Sequence, residues 1–222
     1  MKLKRFVIVG AGSLGTEDLK KYIQPEDFIC AADAGYLYLK EAGIRPDLLV
    51  GDFDSAAKPE DETGFQEMIV LPVVKDDTDI VFCVKEGFKR DFKDFLILGG
   101  LGGDRLSHTM ANIQLLSMIS AMGGRGELKF KNISAFLIRE KETKAFSDTM
   151  RGSISLFSLS ETAQVSIEGL YYTLDHGSLT RDFPLGVSNE FIGREAFVTV
   201  HTGEVLCITE EAQGPGDPEQ RP

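Results

Sequence analysis

The stretch VGDFDSA, residues 50–56, places Asp52 and Asp54 one residue apart, directly after an apolar run that ends at Val50. A short apolar run bounded by glycine is typical of a buried β-strand. Two carboxylates this close repel each other, so the pair is either a solvated turn or a pair of ligands for a divalent cation. The rest of the chain decides between these two interpretations.

Other apolar runs in the first half of the chain also end in glycine or acidic residues. The candidate strands are residues 6–9, 28–31, 48–50, 69–74 and 95–98, and they are followed by GAGSLG, ADAG, GDFDS, KDDTD and GGLGGDR. Between them, apolar residues recur at helical spacing, as at Val81, Val84 and Phe88. Alternating strands and helices predict a Rossmann-like α/β domain with a parallel sheet.

The second half of the chain has a different texture. From about residue 132 it consists of short alternating segments such as GSISLFSL and AFVTVHTGEVLCIT, with turn residues between them. This pattern predicts an all-β domain of the sandwich type. We therefore expect an α/β domain over residues 1–126, a β-sandwich over 127–210 and a disordered polar tail over 211–222.

Composition excludes several classes of function. The net charge of −11 argues against a surface that binds nucleic acid or anionic membranes, which needs clustered lysine and arginine. No apolar run approaches the roughly 20 residues of a bilayer span. The basic and apolar start, MKLKRFVIVGAG, ends in glycine without a cleavage site, which favours a first strand over a signal peptide.

The cysteines and histidines do not form a recognisable metal or disulfide pattern. Cys30, Cys83 and Cys207 are far apart and odd in number, which indicates buried thiols in a reducing cytoplasm. The three histidines, His108, His176 and His201, are scattered along the chain, which argues against a zinc site.

The strand ends together predict a ligand site. Each has a separate structural explanation, since glycines make turns and Asp76 or Asp77 could cap a helix that starts near Thr78. In a parallel sheet, however, all five ends share one edge, and ligands bind there. Asp52, Asp54 and Asp79 can surround Mg²⁺.

The glycine-rich segment GGLGGDR complements these acids. Its amides can approach an anion, and Arg105 can bind a phosphate through two hydrogen bonds. Acids for a metal and amides for phosphates predict a nucleoside triphosphate as the ligand.

A competing interpretation comes from the first strand end. Gly10, Gly12 and Gly15 have the spacing of the dinucleotide-binding fingerprint, and Asp33 follows at the end of the second strand. This pattern predicts an NAD- or flavin-dependent oxidoreductase. Such an enzyme has no use for the additional acids after the third and fourth strands.

The ordered set of motifs resembles the thiamine pyrophosphokinase family. Its members carry A-D-G-G, then P-D-x-x-x-G-D-x-D-S, then D-x-T-D, then a glycine-rich loop that ends in R-x-D-H. The corresponding segments are AADAG, RPDLLVGDFDSA, KDDTD and GGLGGDRLSHTMANI. A downstream G-L-x-aromatic stretch and an S-N pair are matched by GLYYTL and GVSNEF, so the resemblance extends from about residue 6 to 208.

The resemblance implies a fold and a reaction. The α/β domain would bind the nucleotide, and a pyrophosphoryl group would pass from ATP to the hydroxyl of thiamine, with Mg²⁺, giving AMP and thiamine diphosphate. It also implies a homodimer with the thiamine site between subunits.

The resemblance also implies residue roles. Asp52, Asp54 and Asp79 match the metal-binding and catalytic acids, and Asp33 matches a further active-site acid. The residues expected to contact the nucleotide are Gly10, Gly51, Thr78, Gly102, Gly103, Arg105 and His108. The residues expected to contact thiamine are Asp76, Tyr172, Ser188 and Asn189. Tyr172 matches the aromatic residue on which thiamine stacks, although its local sequence alone favours a tyrosine in a strand core.

This chain departs from the family pattern at four positions. Ala34 replaces a glycine, Leu37 replaces an asparagine, Asp104 lengthens the glycine loop and Ser107 replaces an aspartate. The altered loop leaves open a non-catalytic sensor of thiamine or nucleotide. A nucleotide-sugar transferase of the D-x-D type is a further alternative, for which nothing else in the sequence speaks.

Overall fold

The computed structural model describes residues 5–52, 64–72, 77–102 and 106–212. The chain divides into two compact units, with the division between Lys131 and Asn132. Among the described residues, no helix combines the length and apolar character that crossing a membrane requires.

The first unit alternates strands and helices. In chain order its elements are β1 (Phe6–Val9), α1 (Thr16–Tyr22), β2 (Phe28–Ala32), α2 (Gly35–Glu41), β3 (Leu48–Gly51), β4 (Glu67–Val70), α3 (Asp79–Lys89), β5 (Asp94–Leu98), α4 (Leu106–Ala121) and β6 (Arg125–Phe130). The strands lie in the order β6-β5-β1-β2-β3-β4, and all neighbours are parallel. The predicted parallel α/β architecture is confirmed.

The interior strands are apolar along their whole length because both faces of the sheet are covered. β1 and β3 are completely buried, as parallel sheets between helices require. At the amino end of the sheet, Phe6 stacks on Phe28 with ring centroids 5.1 Å apart, and Phe92 and Phe95 pack against Phe6 at 5.3 and 5.9 Å. This aromatic cluster joins β1, β2 and β5 at the edge opposite the glycine and acidic residues.

Two expectations about boundaries need adjustment. The fourth strand begins at Glu67, two residues before the predicted start, because it is an edge strand whose ends, Glu67 and Val70, are exposed. An exposed edge does not produce a continuous apolar run. The boundary expected between residues 126 and 127 lies inside β6, which pairs with β5 in parallel.

The second unit consists of antiparallel strands. They are β7 (Ile133–Ile138), β8 (Glu142–Phe146), β9 (Gly152–Ser158), β10 (Thr162–Glu168), β11 (Leu174–Thr180), β12 (Gly186–Glu190), β13 (Ala196–Thr202) and β14 (Val205–Glu211). One group has the order β12-β9-β14-β7 and the other β11-β10-β13-β8. Inward residues of both groups, among them Ile154, Leu156, Val165, Val198 and Cys207, form one core, as in a β-sandwich.

In two places the second unit brings together residues that are far apart in the sequence. β14 lies in the middle of its sheet, paired with β7 on one side and β9 on the other. The rings of His176 and His201, which sequence separation made look unrelated, stack at 4.0 Å. The Ser166 hydroxyl contacts both residues, because it lies 2.8 Å from His201 Nε2 and accepts the backbone N–H of His176 at 3.1 Å.

All three cysteines are buried thiols without a disulfide. Cys30 on β2 and Cys83 on α3 lie with their sulfur atoms 3.3 Å apart in the first unit. Burial raises the pKa of Cys207 to about 12, and burial together with Cys30 raises the pKa of Cys83 well above its usual value.

These raised thiol pKa values predict a loss of stability at alkaline pH. The unfolded chain releases thiol protons above pH about 8.5, whereas folded Cys207 retains its proton up to about pH 12. The unfolded state therefore binds fewer protons, and the free energy of unfolding falls as pH rises, by at most about 1.4 kcal/mol per pH unit for each of Cys83 and Cys207. Urea unfolding under reducing conditions at pH 8, 9 and 10 measures this slope.

The matched control is Cys207→Ala, which is less stable at every pH because it leaves a small cavity. Its stability should fall less steeply with pH than that of the unaltered chain. Equal slopes would show that Cys207 contributes nothing to the alkaline loss.

Candidate active site

The glycine turn after β1 is in direct backbone contact with the turn after β5. Gly10 donates its N–H to Leu98 O at 2.8 Å, and Gly12 donates to Gly99 O at 3.1 Å. A Cβ atom on Gly12 would overlap the Gly99 carbonyl, and Gly99 itself has a positive φ of 71°. The glycines at 10 and 12 therefore have a structural cause, which is the close approach of a neighbouring strand end.

Asp33 lies at the same edge, one residue beyond β2. It adopts a positive φ of 49°, which residues other than glycine rarely adopt. Its N–H donates to Val50 O on β3 at 2.7 Å, and its carbonyl accepts the Tyr36 N–H at 3.2 Å. α2 then starts against β1, because a Cβ on Gly35 would overlap the Val9 carbonyl. The backbone thus fixes this carboxylate between the ends of β1 and β3.

Asp52 follows β3, the neighbour of β2. Gly51 is buried and accepts the Leu71 N–H at 2.9 Å, which ties this strand end to the residue after β4. The Asp52 side chain is half-buried. Asp54, its predicted companion, lies outside the described residues.

Asp79 is the first residue of α3. Thr78 caps this helix, since its hydroxyl accepts the Val81 N–H at 3.3 Å. The suggestion that Asp77 is the cap is wrong, because its carboxylate pairs with Lys85 at 2.6 Å. The alternative cap, Asp76, lies outside the described residues. The positive end of the helix dipole favours a carboxylate at position 79.

Contacts with the first strand end bring α3 to the same edge. A Cβ on Gly10 would lie 3.0 Å from Ile80 Cδ1, so the first turn of α3 packs against the glycine turn after β1. The Oδ1 atoms of Asp33 and Asp79 are both shielded from solvent. Acids after β2, after β3 and at the start of α3 therefore belong to one edge of the sheet.

The glycine-rich segment after β5 is described up to Gly102. That residue has a positive φ of 75°, and a Cβ on it would lie 3.1 Å from the Phe130 ring. Gly103 and Arg105, which were predicted to contact the nucleotide, lie outside the described residues. His108 is exposed in the first turn of α4.

One residue that holds this segment was missed. Asn112 on α4 is 7% exposed, and its amide donates to Gly100 O at 2.8 Å. The signal was present, since Asn112 is a polar residue inside the apolar stretch MANIQLLSMISAM. A buried amide of this kind needs a partner, and here the partner is the backbone of the glycine segment.

The acidic edge has the donor chemistry of a magnesium site. Carboxylate oxygens are the ligands that Mg²⁺ prefers, and it takes one or two of them together with phosphate oxygens and water. Within the described part of the chain, no group of three or more acidic, histidine or cysteine side chains is arranged around a common point. Asp52 and Asp79 can therefore supply two carboxylates, and the third expected ligand, Asp54, is outside the described ranges.

The predicted thiamine-contacting residues lie in the second unit. Tyr172 is 67% exposed, and its neighbour Tyr171 is 60% exposed. Their rings are nearly perpendicular, with centroids 4.9 Å apart. The alternative of a tyrosine in a strand core is wrong. Ser188 is exposed, with a positive φ of 58°, and Asn189 is buried beneath the tyrosines.

The departures from the family pattern have different structural consequences. Ala34 has helical angles, φ −62° and ψ −9°, so no glycine is needed there. Leu37 is 55% exposed on α2, and Ser107 is exposed on α4. Asp104 lies outside the described residues.

Comparison with known proteins identifies the family. The catalytic-domain model of thiamin pyrophosphokinase matches residues 19–128, and the vitamin B1 binding domain model of the same enzyme matches residues 138–207. The chain thus has the two-domain composition of a pyrophosphoryl-transferring enzyme. It belongs to the thiamine pyrophosphokinase family, and it is accordingly a transferase that acts on thiamine with ATP.

Individual relatives agree in length and fold. Thiamine pyrophosphokinase of Bacillus subtilis is 26% identical over 206 residues, which are 91% of this chain and 96% of that protein. The crystal structure of the Bacillus subtilis enzyme has a TM-score of 0.79 at 23% identity and covers 95% of this chain and 100% of its own. The yeast enzyme has a TM-score of 0.76 at 15% identity and covers 96% and 87%.

The glycine turn after β1 allows a matched test of the edge. Gly12→Ala places a methyl group on the Gly99 carbonyl, and we expect it to lower the free energy of unfolding by about 1–3 kcal/mol, the usual cost of overpacking. Gly15→Ala in the same motif should cost less than about 1 kcal/mol. Its backbone is extended, and the nearest atom, Asp18 Oδ2, would lie 3.6 Å away. Urea unfolding of both variants gives the comparison, and equal costs would contradict it.

Proposed function

We propose that the acidic edge of the first unit binds ATP with Mg²⁺, and that the chain transfers the pyrophosphoryl group of ATP to the hydroxyl of thiamine. The products are thiamine diphosphate and AMP. The observation that carries this proposal is that three acidic positions, Asp33, Asp52 and Asp79, lie at the same sheet edge as the glycine turns.

Asp52 and Asp79, together with Asp54, hold the metal in this proposal. When bound, Mg²⁺ neutralises charge on the phosphate oxygens, which lowers the barrier to attack at phosphorus. Asp79 lies in the first turn of α3, where backbone N–H groups without helical partners make a favourable place for an acidic side chain. The protein contributes mainly position, because phosphoryl transfer needs little covalent chemistry from side chains.

We assign the remaining acid, Asp33, to the thiamine hydroxyl. Its positive φ and its backbone hydrogen bond to Val50 hold it in one place at the edge. Strained backbone of this kind persists where the surrounding structure fixes it, and it is common in active sites. Asp33 would orient the hydroxyl and accept its proton as the new bond to phosphorus forms.

The glycine segments supply the phosphate contacts. Backbone amides around Gly102, with Gly103 and Arg105 beyond it, would bind the phosphate oxygens, and His108 stands exposed at the start of α4. The Thr78 hydroxyl caps α3 by accepting the Val81 N–H, and its O–H remains able to donate to a phosphate oxygen in this proposal. The N–H groups of Gly10 and Gly12 donate to backbone carbonyls of Leu98 and Gly99. They are therefore not free to bind the phosphates of a dinucleotide, which argues against the oxidoreductase interpretation.

Tyr172 supplies the surface for thiamine. Thiamine carries a positively charged ring, and a cation over an aromatic face is attracted by the ring quadrupole. An exposed tyrosine that is fixed in place can provide this face, and Tyr171 stands perpendicular to it. Ser188 and Asp76 are the other residues we assign to thiamine.

We further propose a cytoplasmic homodimer with the thiamine site at the subunit interface. Three buried thiols without a disulfide support a reducing compartment. Six exposed large apolar side chains within residues 171–192 support association. They are Tyr171, Tyr172, Phe183, Leu185, Val187 and Ile192.

The reaction is tested by its two products. We expect AMP release from ATP that depends on both thiamine and Mg²⁺, accompanied by thiamine diphosphate detected as its fluorescent thiochrome derivative. EDTA should abolish both products, and added Mg²⁺ should restore them. Tight binding of ATP and thiamine without AMP formation would instead identify a non-catalytic sensor.

Single acids provide the control for this assay. Asp52→Asn and Asp79→Asn should each lower kcat by at least about a hundredfold while circular dichroism stays unchanged. Asp94→Asn, at the amino end of β5 on the opposite edge, should leave kcat within about twofold. Normal turnover in Asp52→Asn or Asp79→Asn would remove that residue from the mechanism.

The shared site is tested by a mixed dimer. Asp52→Asn and Tyr172→Ala chains carrying different tags are co-expressed and purified through both tags. If each thiamine site combines residues of two subunits, one site of the mixed dimer is intact, and activity at thiamine well below its KM should reach about half that of the unaltered dimer. Activity no higher than in the single variants, or a monomer in sedimentation, would contradict the interface site.

A further inference from the structure

Asn189 is held by hydrogen bonds to the backbone that carries the exposed tyrosines. Its Oδ1 atom accepts the Tyr172 N–H at 2.9 Å and the Glu190 N–H at 2.9 Å. Its Nδ2 atom donates to Tyr172 O at 2.7 Å. An amide oxygen has two acceptor positions, so both are occupied, and one of the two amide protons is committed as well.

Burial separates Asn189 from its neighbours in the sequence. The residue is 7% exposed, whereas Val187, Ser188 and Glu190 are exposed. Almost no surface of Asn189 remains for a ligand. A buried amide whose polar atoms bind the backbone in this way acts on structure rather than on substrate.

A β-bulge places this side chain inward. Between Gly186 and Asn189, β12 advances three residues while β9 advances two, from Leu156 to Ile154. Ser188 lies inside this irregularity at a φ of 58°, and its N–H donates to the Ser155 hydroxyl at 3.0 Å. Bulges re-aim side chains and are frequent beside active sites. The bulge at Ser188 therefore turns the side chain of Asn189 toward the core.

Residues 170–172, the segment that carries both tyrosines, also have two backbone contacts to the end of β12 and the residue after it. Tyr171 donates its N–H to Glu190 O at 3.0 Å, and Leu170 and Phe191 form an isolated bridge. Tyr171 and Tyr172 belong to no named strand, and both rings are exposed. The side chain of Asn189 makes hydrogen bonds to both the N–H and the carbonyl of Tyr172.

We propose that Asn189 is a positioning residue, which fixes the Tyr172 ring for thiamine through the backbone and does not itself contact thiamine. This proposal rests on the assignment of Tyr172 to thiamine above. It replaces the expectation that the S-N pair binds the substrate as a unit: Ser188 remains available at the surface, and Asn189 acts beneath it.

A double-mutant cycle separates the two roles. Thiamine KM is measured for the unaltered enzyme, Asn189→Ala, Tyr172→Ala and the double variant, with ATP KM as the internal reference. We expect Asn189→Ala and Tyr172→Ala each to raise thiamine KM about tenfold with ATP KM unchanged. The double variant should be no worse than Tyr172→Ala alone, because residues that act through one another are not additive. A double variant whose KM rises by the product of the two single effects would overturn the proposal.

Two further variants exclude general destabilisation. Ser158→Ala removes a similarly buried side chain of the second unit, whose hydroxyl donates to Ser160 O at 2.8 Å, and thiamine KM should not change. Asn189→Asp keeps the acceptor for the two N–H groups and is used for the cycle if Asn189→Ala does not fold. An equal rise of thiamine KM in Ser158→Ala would overturn a specific role for Asn189.

Hydrogen exchange provides a readout that does not depend on activity. The Tyr172 amide proton should exchange at least tenfold faster in Asn189→Ala than in the unaltered chain, because its acceptor is gone. Unchanged exchange would overturn the proposal even in an active enzyme. If the chain forms no thiamine diphosphate but exchange accelerates, the proposed function fails while the backbone contact stands. If thiamine diphosphate forms and the cycle is additive, only the positioning role of Asn189 fails.

Discussion

Direct backbone contact between the turns after β1 and β5 is the constraint on which the acidic edge depends. The Gly12 amide meets the Gly99 carbonyl at 3.1 Å, and no side chain fits between them. Ile80 in the first turn of α3 packs against Gly10, and this contact places the preceding residue, Asp79, at the same edge. The same crowding explains a glycine pattern that imitates a dinucleotide site, since in this chain the glycines serve contact between strands.

The two ends of the parallel sheet have opposite chemistry. At the amino end, Phe6, Phe28 and Phe95 pack in register on adjacent strands, and burying large rings of this kind contributes strongly to stability. At the carboxyl end, the chain accepts like charges, a strained Asp33 and tight turns, all of which cost stability. The unit thus separates the residues that hold it together from the residues that carry its chemistry.

The sequence predicted those parts of the fold that depend on runs of buried residues. β1, β2, β3 and β5 were located to within one residue because their apolar runs are buried on both faces. β4 was displaced because an edge strand exposes part of its length. The acidic edge followed from the same strands, whereas the roles of Asn112 and Asn189 did not, because a side-chain amide finds its partner only when distant backbone is brought to it. The sequence also offered Asp77 as the cap of α3, whereas the structure has Thr78 there. The cause is the same, because the Asp77 carboxylate forms an ion pair with Lys85, a partner that the sequence does not reveal.

The central position of β14 has a consequence for the order in which the two units can form during synthesis. All elements of the first unit, β1 to β6, come from one continuous stretch of chain that ends at Phe130. In the second unit, β14 lies between β7 and β9 and pairs with both. It is synthesised some 70 residues after β7 begins, so until then the strand edges of β7 and β9 that face it are unpaired. Nascent second units therefore carry two unpaired strand edges over most of their length, the kind of edge that pairs with other chains. The first unit, by contrast, is complete once β6 has been made, so it can fold while the second unit is still being synthesised.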